Sequence, residues 1–348
     1  MRRRTRVLID PTSRILYSSF YIKGLCDVFG KQNVSFSSQY FRDLKREQES
    51  HSYDHYMAFV VISPTNDITK YIIDFRDKPS VKERAYCWCD RYAKINFNLD
   101  LTDERFHDKV ISIPPGFGIR IWNIWETAYF CLSNYFHCRL SPLVSLRHHL
   151  GDYRAQYKRP ILADVTSIAD SKTNICDKPY VFMIGTLWPH RNCIEGTNLH
   201  RRMFIDVCQS LNCRFEGGFL ASVDHPQYGE FRDAVLSKPY SVDSYVRKTK
   251  LSTVVFNTPS VHDCHGWKLG EYLAMGKAIV STPLSNQLPE DLVHGKNVHI
   301  VSDMNELKGA IELLLRDEGY RKRLEDGARA YFAKYVIPAR VIENILRD

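Results

Sequence analysis

Two acids set the chemistry that this sequence offers. Asp263 and Glu271 lie eight residues apart in the stretch Asn257–Val301, NTPSVHDCHGWKLGEYLAMGKAIVSTPLSNQLPEDLVHGKNVHIV. The apolar run Leu251 to Asn257 predicts a strand. A polar loop follows, and Gly266 opens a predicted helix that Gly276 closes before a second strand, Lys277 to Ser281. The first turn of a helix carries unpaired N–H groups and the positive end of the helix dipole, so a phosphate is a natural guest there. Glycine at position 266 admits a ligand close to the backbone. Glu271, about one turn on, is placed to accept two hydrogen bonds from vicinal hydroxyls, each worth roughly 1.5–3 kcal/mol when the acceptor is charged. A second reading stays open at this level. Any α/β protein contains strand–loop–helix–strand units, and Lys268, three residues from Glu271, offers it an ordinary surface partner.

The elements around this stretch alternate between strand and helix. Arg6–Asp10, Met57–Ile62, Tyr71–Asp74 and Val110–Ile113 are short apolar runs ended by turn residues, as suits strands covered on both faces. Ser18–Phe29 reads as a helix closed by Gly30. The polar stretch from about Gly151 to Lys178 marks a domain boundary, after which the pattern restarts. Tyr180–Ile184 is a strand ending at Gly185, Arg201–Leu211 a helix, and Cys213–Glu216 a strand stopped by Gly217-Gly218. Asp243–Lys250 is helical, Val298–Val301 is the last strand, and three helical segments follow. Asp303 and Glu306 form a capping pair for the first of them, and Pro338 opens the last. In such sheets ligands bind beyond the carboxyl ends of the strands, here after Asp10, Asp74, Gly185, Asn257 and Ser281.

Composition excludes several classes. The chain has 348 residues, 44% hydrophobic and 25% charged, which fits two folded domains rather than a disordered or disulfide-stapled chain. The aromatic-rich segment Ile121–Phe136 is the nearest approach to a membrane span, but Arg120, Glu126 and Asn134 interrupt it. Arg2 to Arg6 imitates the basic start of a signal peptide without an apolar segment behind it. A cytoplasmic protein is expected. Ten cysteines without a CxxC pair read as buried thiols. The net charge of +8 is uneven: residues 1–176 hold 26 Lys and Arg against 19 Asp and Glu, residues 177–348 hold 22 against 21. The first half should favour an anionic partner, such as a membrane surface or an acidic glycan. A nucleic acid is not expected, because no basic run interleaved with aromatics occurs.

The residue string resembles the donor-binding segment of GT-B glycosyltransferases (the group 1 type of C-terminal domain). Their pattern is an acid, seven residues, a glutamate, and a helix reading E-x-L-A-x-G-x-x-V. Here it runs from Asp263 to Glu271 and on through Tyr272-Leu273-Ala274-Met275-Gly276-Lys277-Ala278-Ile279-Val280, with Leu288-Pro289-Glu290 and His294-Gly295-Lys296-Asn297 downstream. The match is specific over about 250–335, weaker over 178–250, and only architectural before that. The resemblance implies two doubly wound Rossmann-like α/β domains facing a central cleft: 1–165 for the acceptor, 166–335 for the donor, with 336–348 a terminal helix returning to the first. It implies transfer of a sugar from a nucleotide-diphosphate donor to a glycan or lipid-linked hydroxyl. No cofactor beyond that co-substrate and no metal are expected. By the same resemblance Glu271 binds the ribose, Asp263 contacts the donor sugar in place of a usual glutamate, and His265, Gly266 and Trp267 border the diphosphate or sugar. Gly185, Thr186 and Arg191 form the second element. Thr186 stands where arginine is usual, and His190 or Arg201 is the candidate replacement.

An inverting enzyme needs a base for the acceptor hydroxyl. Asp10, Asp74 and Asp77 lie near strand ends of the first half. Asp10 equally suits a turn cap, and Asp74 and Asp77 flank the cations Arg76 and Lys78. Gly116-Phe-Gly118 lacks the third glycine of a dinucleotide fingerprint, and His51/His55 lacks the glutamate of a zinc hydrolase. The departures at Asp263 and Thr186 leave a non-catalytic binding or scaffold protein of the same fold as the alternative.

Overall fold

In a computed structural model that describes residues 4–49, 52–53, 55–138, 145–168 and 178–347, the short apolar runs become strands because both of their faces are covered. The chain divides into two units: residues 1–162 with 287–289 and 335–348, and residues 163–286 with 290–334. Both are α/β. His51, Arg2, Arg3 and part of the polar boundary stretch lie outside the described residues.

The first unit contains β1 (Arg6–Ile9), α1 (Ile15–Phe29), β2 (Val34–Phe36), the small pair β3 (Gln48–Glu49) and β4 (Ser52–Tyr53), then β5 (Tyr56–Ile62), β6 (Ile68–Asp74), α2 (Glu83–Trp88), β7 (Arg91–Lys94), β8 (Val110–Ser112), α3 (Ile124–Cys138) and α4 (Leu146–Tyr157). Its six-stranded sheet has the order β2-β1-β5-β6-β7-β8. The parallel set expected from the sequence has one exception, since β5 runs antiparallel to both neighbours. The turn Ser63–Asp67 is the reason. A hairpin of this length joins antiparallel strands, whereas a parallel crossover needs a dozen or more residues. Tyr56 pairs with Asp74 and Ile62 with Ile68 across it. Because β5 alone is reversed, β1 and β6 point the same way and present Asp10 and Asp74 at one edge.

The chain's last helix, numbered below as α11 (Pro338–Leu346), belongs to this unit and packs on α1. Pro338 takes the first helical position, where its missing N–H costs nothing. A Cβ on Gly24 would lie 2.3 Å from Pro338 O, so only glycine allows this approach. Residues 287–289 also join the first unit: Gln287 N donates to Phe97 O at 2.8 Å.

The second unit begins as α5 (Leu162–Thr166) starts. It continues with β9 (Tyr180–Thr186), α6 (Asn198–Ser210), β10 (Arg214–Leu220), α7 (Val242–Leu251), β11 (Val255–Asn257), α8 (Trp267–Ala274), β12 (Ile279–Ser281), β13 (His299–Ile300), α9 (Leu307–Arg316) and α10 (Glu318–Tyr331). Every pairing in it is parallel. β11 lies beside β9, with Thr253 N donating to Tyr180 O at 2.7 Å. The strands therefore stand in the order second, first, third, fourth, fifth, and the winding reverses between β9 and β11. In open α/β sheets ligands bind at the carboxyl ends of the strands where the winding reverses, here those of β9 and β11.

Two sequence expectations need correction. β10 runs through Gly217-Gly218 to Leu220 instead of stopping before them. At φ 135° and 145° a Cβ would strike Met183 O and Ala234 O, so the glycines continue the strand where no side chain fits. Asp303 caps Asn305 N, and no reciprocal box with Glu306 forms. The aromatic-rich segment forms α3, a 15-residue helix that is too short to span a bilayer.

Candidate functional site

The reversal between β9 and β11 gathers the residues of the second unit that carry charge. α8 starts at Gly266 beyond the end of β11, and its second residue, Lys268, reaches across to β9, where Nζ donates to Ile184 O. From α6, Arg201 donates Nη1 to Thr186 O at 3.2 Å. Two half-buried cations thus crowd the carboxyl end of one strand, each held by a backbone carbonyl. Gly185 makes room for this: a Cβ there would sit 3.2 Å from Arg201 Cδ. Desolvation pushes the Lys268 ammonium down to about 7; Arg201 adds to the fall and Glu271 opposes it. Desolvation also lowers the Arg201 guanidinium.

Glu271 lies one turn beyond Lys268, 7% exposed. Its Oε2 accepts a 2.6 Å bond from Tyr245 Oη of α7. That phenol is pushed well above its usual range, first by burial and then by the Glu271 charge, so it stays a donor. The surface pairing of Glu271 with Lys268 that the spacing allowed is not what forms. Gly266 has ordinary extended dihedrals, and a Cβ on it would meet no protein atom within 4 Å. Neither backbone strain nor packing within the protein requires glycine there.

Asp263 is exposed at the turn before α8. It and His262 both take left-handed backbone, φ 58° and 54°, a conformation uncommon for residues with a Cβ. Three bonds hold the turn. Asn192 Nδ2 donates to Ser260 O at 2.9 Å and to Asp263 Oδ1 at 3.1 Å, and Asn286 Nδ2 donates to Asp263 O at 2.8 Å. The loops after β9 and β11 are thus tied together, and the His190 ring meets the His262 ring edge-on at 5.5 Å. His265 is buried and Trp267 half-buried at the start of α8. The carboxyl ends of β11 and β12 are joined by a chain of side-chain bonds, Asn257 to Ser281 at 2.9 Å and Thr282 to Thr258 at 3.0 Å.

Arg191 is not drawn into this group. It is 89% exposed and pairs with Glu195 one turn on, at 2.8 Å. The guanidinium nearest Thr186 comes from Arg201. Lys268 is the residue whose role sequence reasoning missed, although one signal was present. A lysine in the first turn of a helix opposes the helix dipole, and such a placement asks for another cause.

The carboxylates expected to serve as base are committed elsewhere. Asp74 is fully buried and receives Arg76 Nη2 at 2.7 Å, Tyr92 Oη at 2.6 Å and Lys94 Nζ at 3.0 Å. Burial alone would raise its pKa, but the Arg76 and Lys94 charges hold it well below the usual carboxylate range. A carboxylate so held is a poor proton acceptor. Asp10 accepts from Thr12 N at 3.0 Å, Thr12 Oγ1 at 2.8 Å and Arg46 Nε at 2.7 Å, with both partners of the ion pair 4% exposed. Asp77 is exposed in the loop that follows. Among the described residues no group of three or more His, Cys, Asp or Glu side chains is arranged to hold a metal ion.

No family model matches the chain, and no curated protein matches it. Among the solved structures similar to it are several glycosyltransferases. One is a glycosyltransferase from Rickettsia africae: 10% identity, 73% of this chain and 62% of that one covered, TM-score 0.41. Another is TarM: 11% identity, 79% and 48% covered, TM-score 0.44. A third is HepE of Anabaena, solved in complex with UDP-glucose: 13% identity, 75% and 64% covered, TM-score 0.40. The chain spans from about half to just under two thirds of the length of these three structures.

Proposed function

We propose that the chain is a glycosyltransferase whose second unit binds a nucleotide-diphosphate sugar and passes the sugar to a hydroxyl of a glycan or lipid-linked acceptor. The observation that carries this reading is the pair Lys268 and Arg201 at the strand crossover, beside the buried carboxylate Glu271. Two like charges brought out of water are costly unless an anion joins them. A diphosphate supplies that anion, and the start of α8 adds its N–H groups. Glu271 then faces the ribose, at the distance along the helix that the residue pattern predicts.

The transfer follows from charge. The acceptor oxygen bonds to the anomeric carbon as the bond from that carbon to the diphosphate oxygen breaks. The bonding pair leaves with the diphosphate, and the proton of the acceptor hydroxyl passes to the departing diphosphate or to solvent. Negative charge grows on the leaving oxygen, and Lys268 and Arg201 stand where it would be stabilised without reorganisation. Asp263, fixed by Asn192 and Asn286, is the donor-sugar contact. Neither Asp10 nor Asp74 is assigned as base.

A thermal-shift panel of UDP, GDP, ADP, dTDP and CMP, without added metal, tests the site. A ligand at about 100 times its Kd should add roughly 2.7 kcal/mol of stability. One nucleoside diphosphate should respond. Silence from all five, with a folded chain, overturns the donor site. Binding without release of sugar from any conjugate of the responding nucleotide would instead mark a non-catalytic binding protein.

A further inference from the structure

α3 shows an apolar stripe to solvent as well as packing on the fold. Its buried residues are Thr127, Cys131 and Asn134, with Phe130 half-buried and stacked on Trp122, and Asn134 spends its amide on Tyr153 Oη at 2.8 Å. The residues it turns to solvent are Trp125, Tyr129, Leu132 and Phe136, spaced i, i+4, i+7 and i+11, and 81, 66, 59 and 64% exposed. A surface helix ordinarily buries its apolar stripe and shows its polar one. On α4, which packs against α3, Leu146 and Leu150 are also exposed. Beside them Arg147, Arg154 and Lys158 form a second stripe at i, i+7 and i+11.

The acids of this helix pair are consumed within the fold. Asp152 of α4 caps α1, accepting from Ile15 N at 2.5 Å and from Leu16 N at 3.4 Å. Glu126 pairs with Lys31 and accepts from Asn123 N at 3.1 Å. The charge that α4 leaves at its surface is therefore positive. No described helix is long and apolar enough to cross a membrane. An apolar stripe bearing Trp and Tyr, flanked by Arg and Lys, is the pattern of a helix that lies in a bilayer interface.

We propose that the outer face of α3, with the basic flank of α4, docks the chain on an anionic lipid surface. Trp125, Tyr129, Leu132 and Phe136 enter the boundary between headgroups and acyl chains. Arg147, Arg154 and Lys158 meet the phosphates. The assignment is independent of the sugar-transfer reading.

The test is co-flotation of the full chain with vesicles of phosphatidylcholine alone, or with about 30% phosphatidylglycerol added to supply surface charge. Binding to the anionic vesicles should exceed binding to the neutral ones by about tenfold and weaken with salt. Trp125→Ser/Phe136→Ser and, separately, Arg147→Glu/Arg154→Glu should each lose about tenfold or more, with circular dichroism unchanged. Should the first variant misfold, Leu132→Gln takes its place. No binding, equal binding to both vesicles, or variants that float like the parent would overturn the assignment. So would a dimer in sedimentation velocity that Trp125→Ser/Phe136→Ser converts to monomer, since the face would then be a self-association surface.

Discussion

The two sheets end in opposite electrostatic conditions. At the carboxyl edge of the first, Asp74 is surrounded by Arg76, Lys94 and Tyr92, and Asp10 by Arg46 and Thr12. Each buried acid there is answered by the fold itself. At the carboxyl edge of the second, Lys268 and Arg201 lean on backbone carbonyls, and the charge of Glu271 acts on Lys268. Charge answered from within belongs to the scaffold. Charge left in excess at a strand crossover is the feature on which the proposed donor site rests. Sequence reasoning placed candidate acids at both edges, and only the partners distinguish them.

Substitution can break this contrast, most strongly at Asp74. Asp74→Asn leaves Arg76 and Lys94 buried without a counter-charge, and should cost about 3–5 kcal/mol of stability. Denaturant unfolding measures it, and nucleotide affinity of the remaining folded protein should be unchanged. A loss of affinity with full stability would reverse the roles of the two edges.

Glu271→Ala should reduce nucleotide affinity about a hundredfold or more, if two charge-assisted bonds are lost. Calorimetric titration reads this. Glu271→Gln keeps an acceptor for Tyr245 and should lose only about tenfold.

Lys268→Met sharpens the contrast because affinity and stability should part. Removing a desolvated cation should raise Tm, while nucleotide affinity falls by about tenfold. The pH dependence follows with the same sign. Lys268 titrates near 7 when folded against 10.5 for an ordinary lysine, so between these values the unfolded chain binds more protons and stability rises with pH. Affinity for a diphosphate should fall over the same rise, as the ammonium is lost. Titrations at pH 7, 8 and 9 should show the fall in the parent and a flat profile in Lys268→Met.

The smallest effect belongs to Arg191. Its pair with Glu195 is exposed, and such pairs contribute little because solvent screens them. Arg191→Ala should leave both Tm and nucleotide affinity nearly unaltered; a large loss of affinity would restore it to the site.

The local signals determined much of this protein. Short apolar runs between turn residues marked most of the strands, though not β2 or β7, and the string from Asp263 to Val280 located α8, its opening glycine and Glu271, because helix starts and turns depend on neighbouring residues. The hairpin that reverses β5 was less legible, although Ser63-Pro64 announced a turn, since a turn signal does not state the direction of the next strand. What only the tertiary structure decided was partnership. Arg201 and Lys268 are 67 positions apart and approach Thr186 and Ile184 because α6 and α8 cross the same strand end. Asp74 owes its low proton affinity first to Arg76, two residues on, and then to Lys94 and Tyr92 on the next strand. The outward apolar face of α3 was visible as an aromatic-rich segment, but its direction required the packing of α4. Spacing along the chain sets which side chains share an element. Whether a charge is answered or left in excess depends on elements that meet only in the folded state.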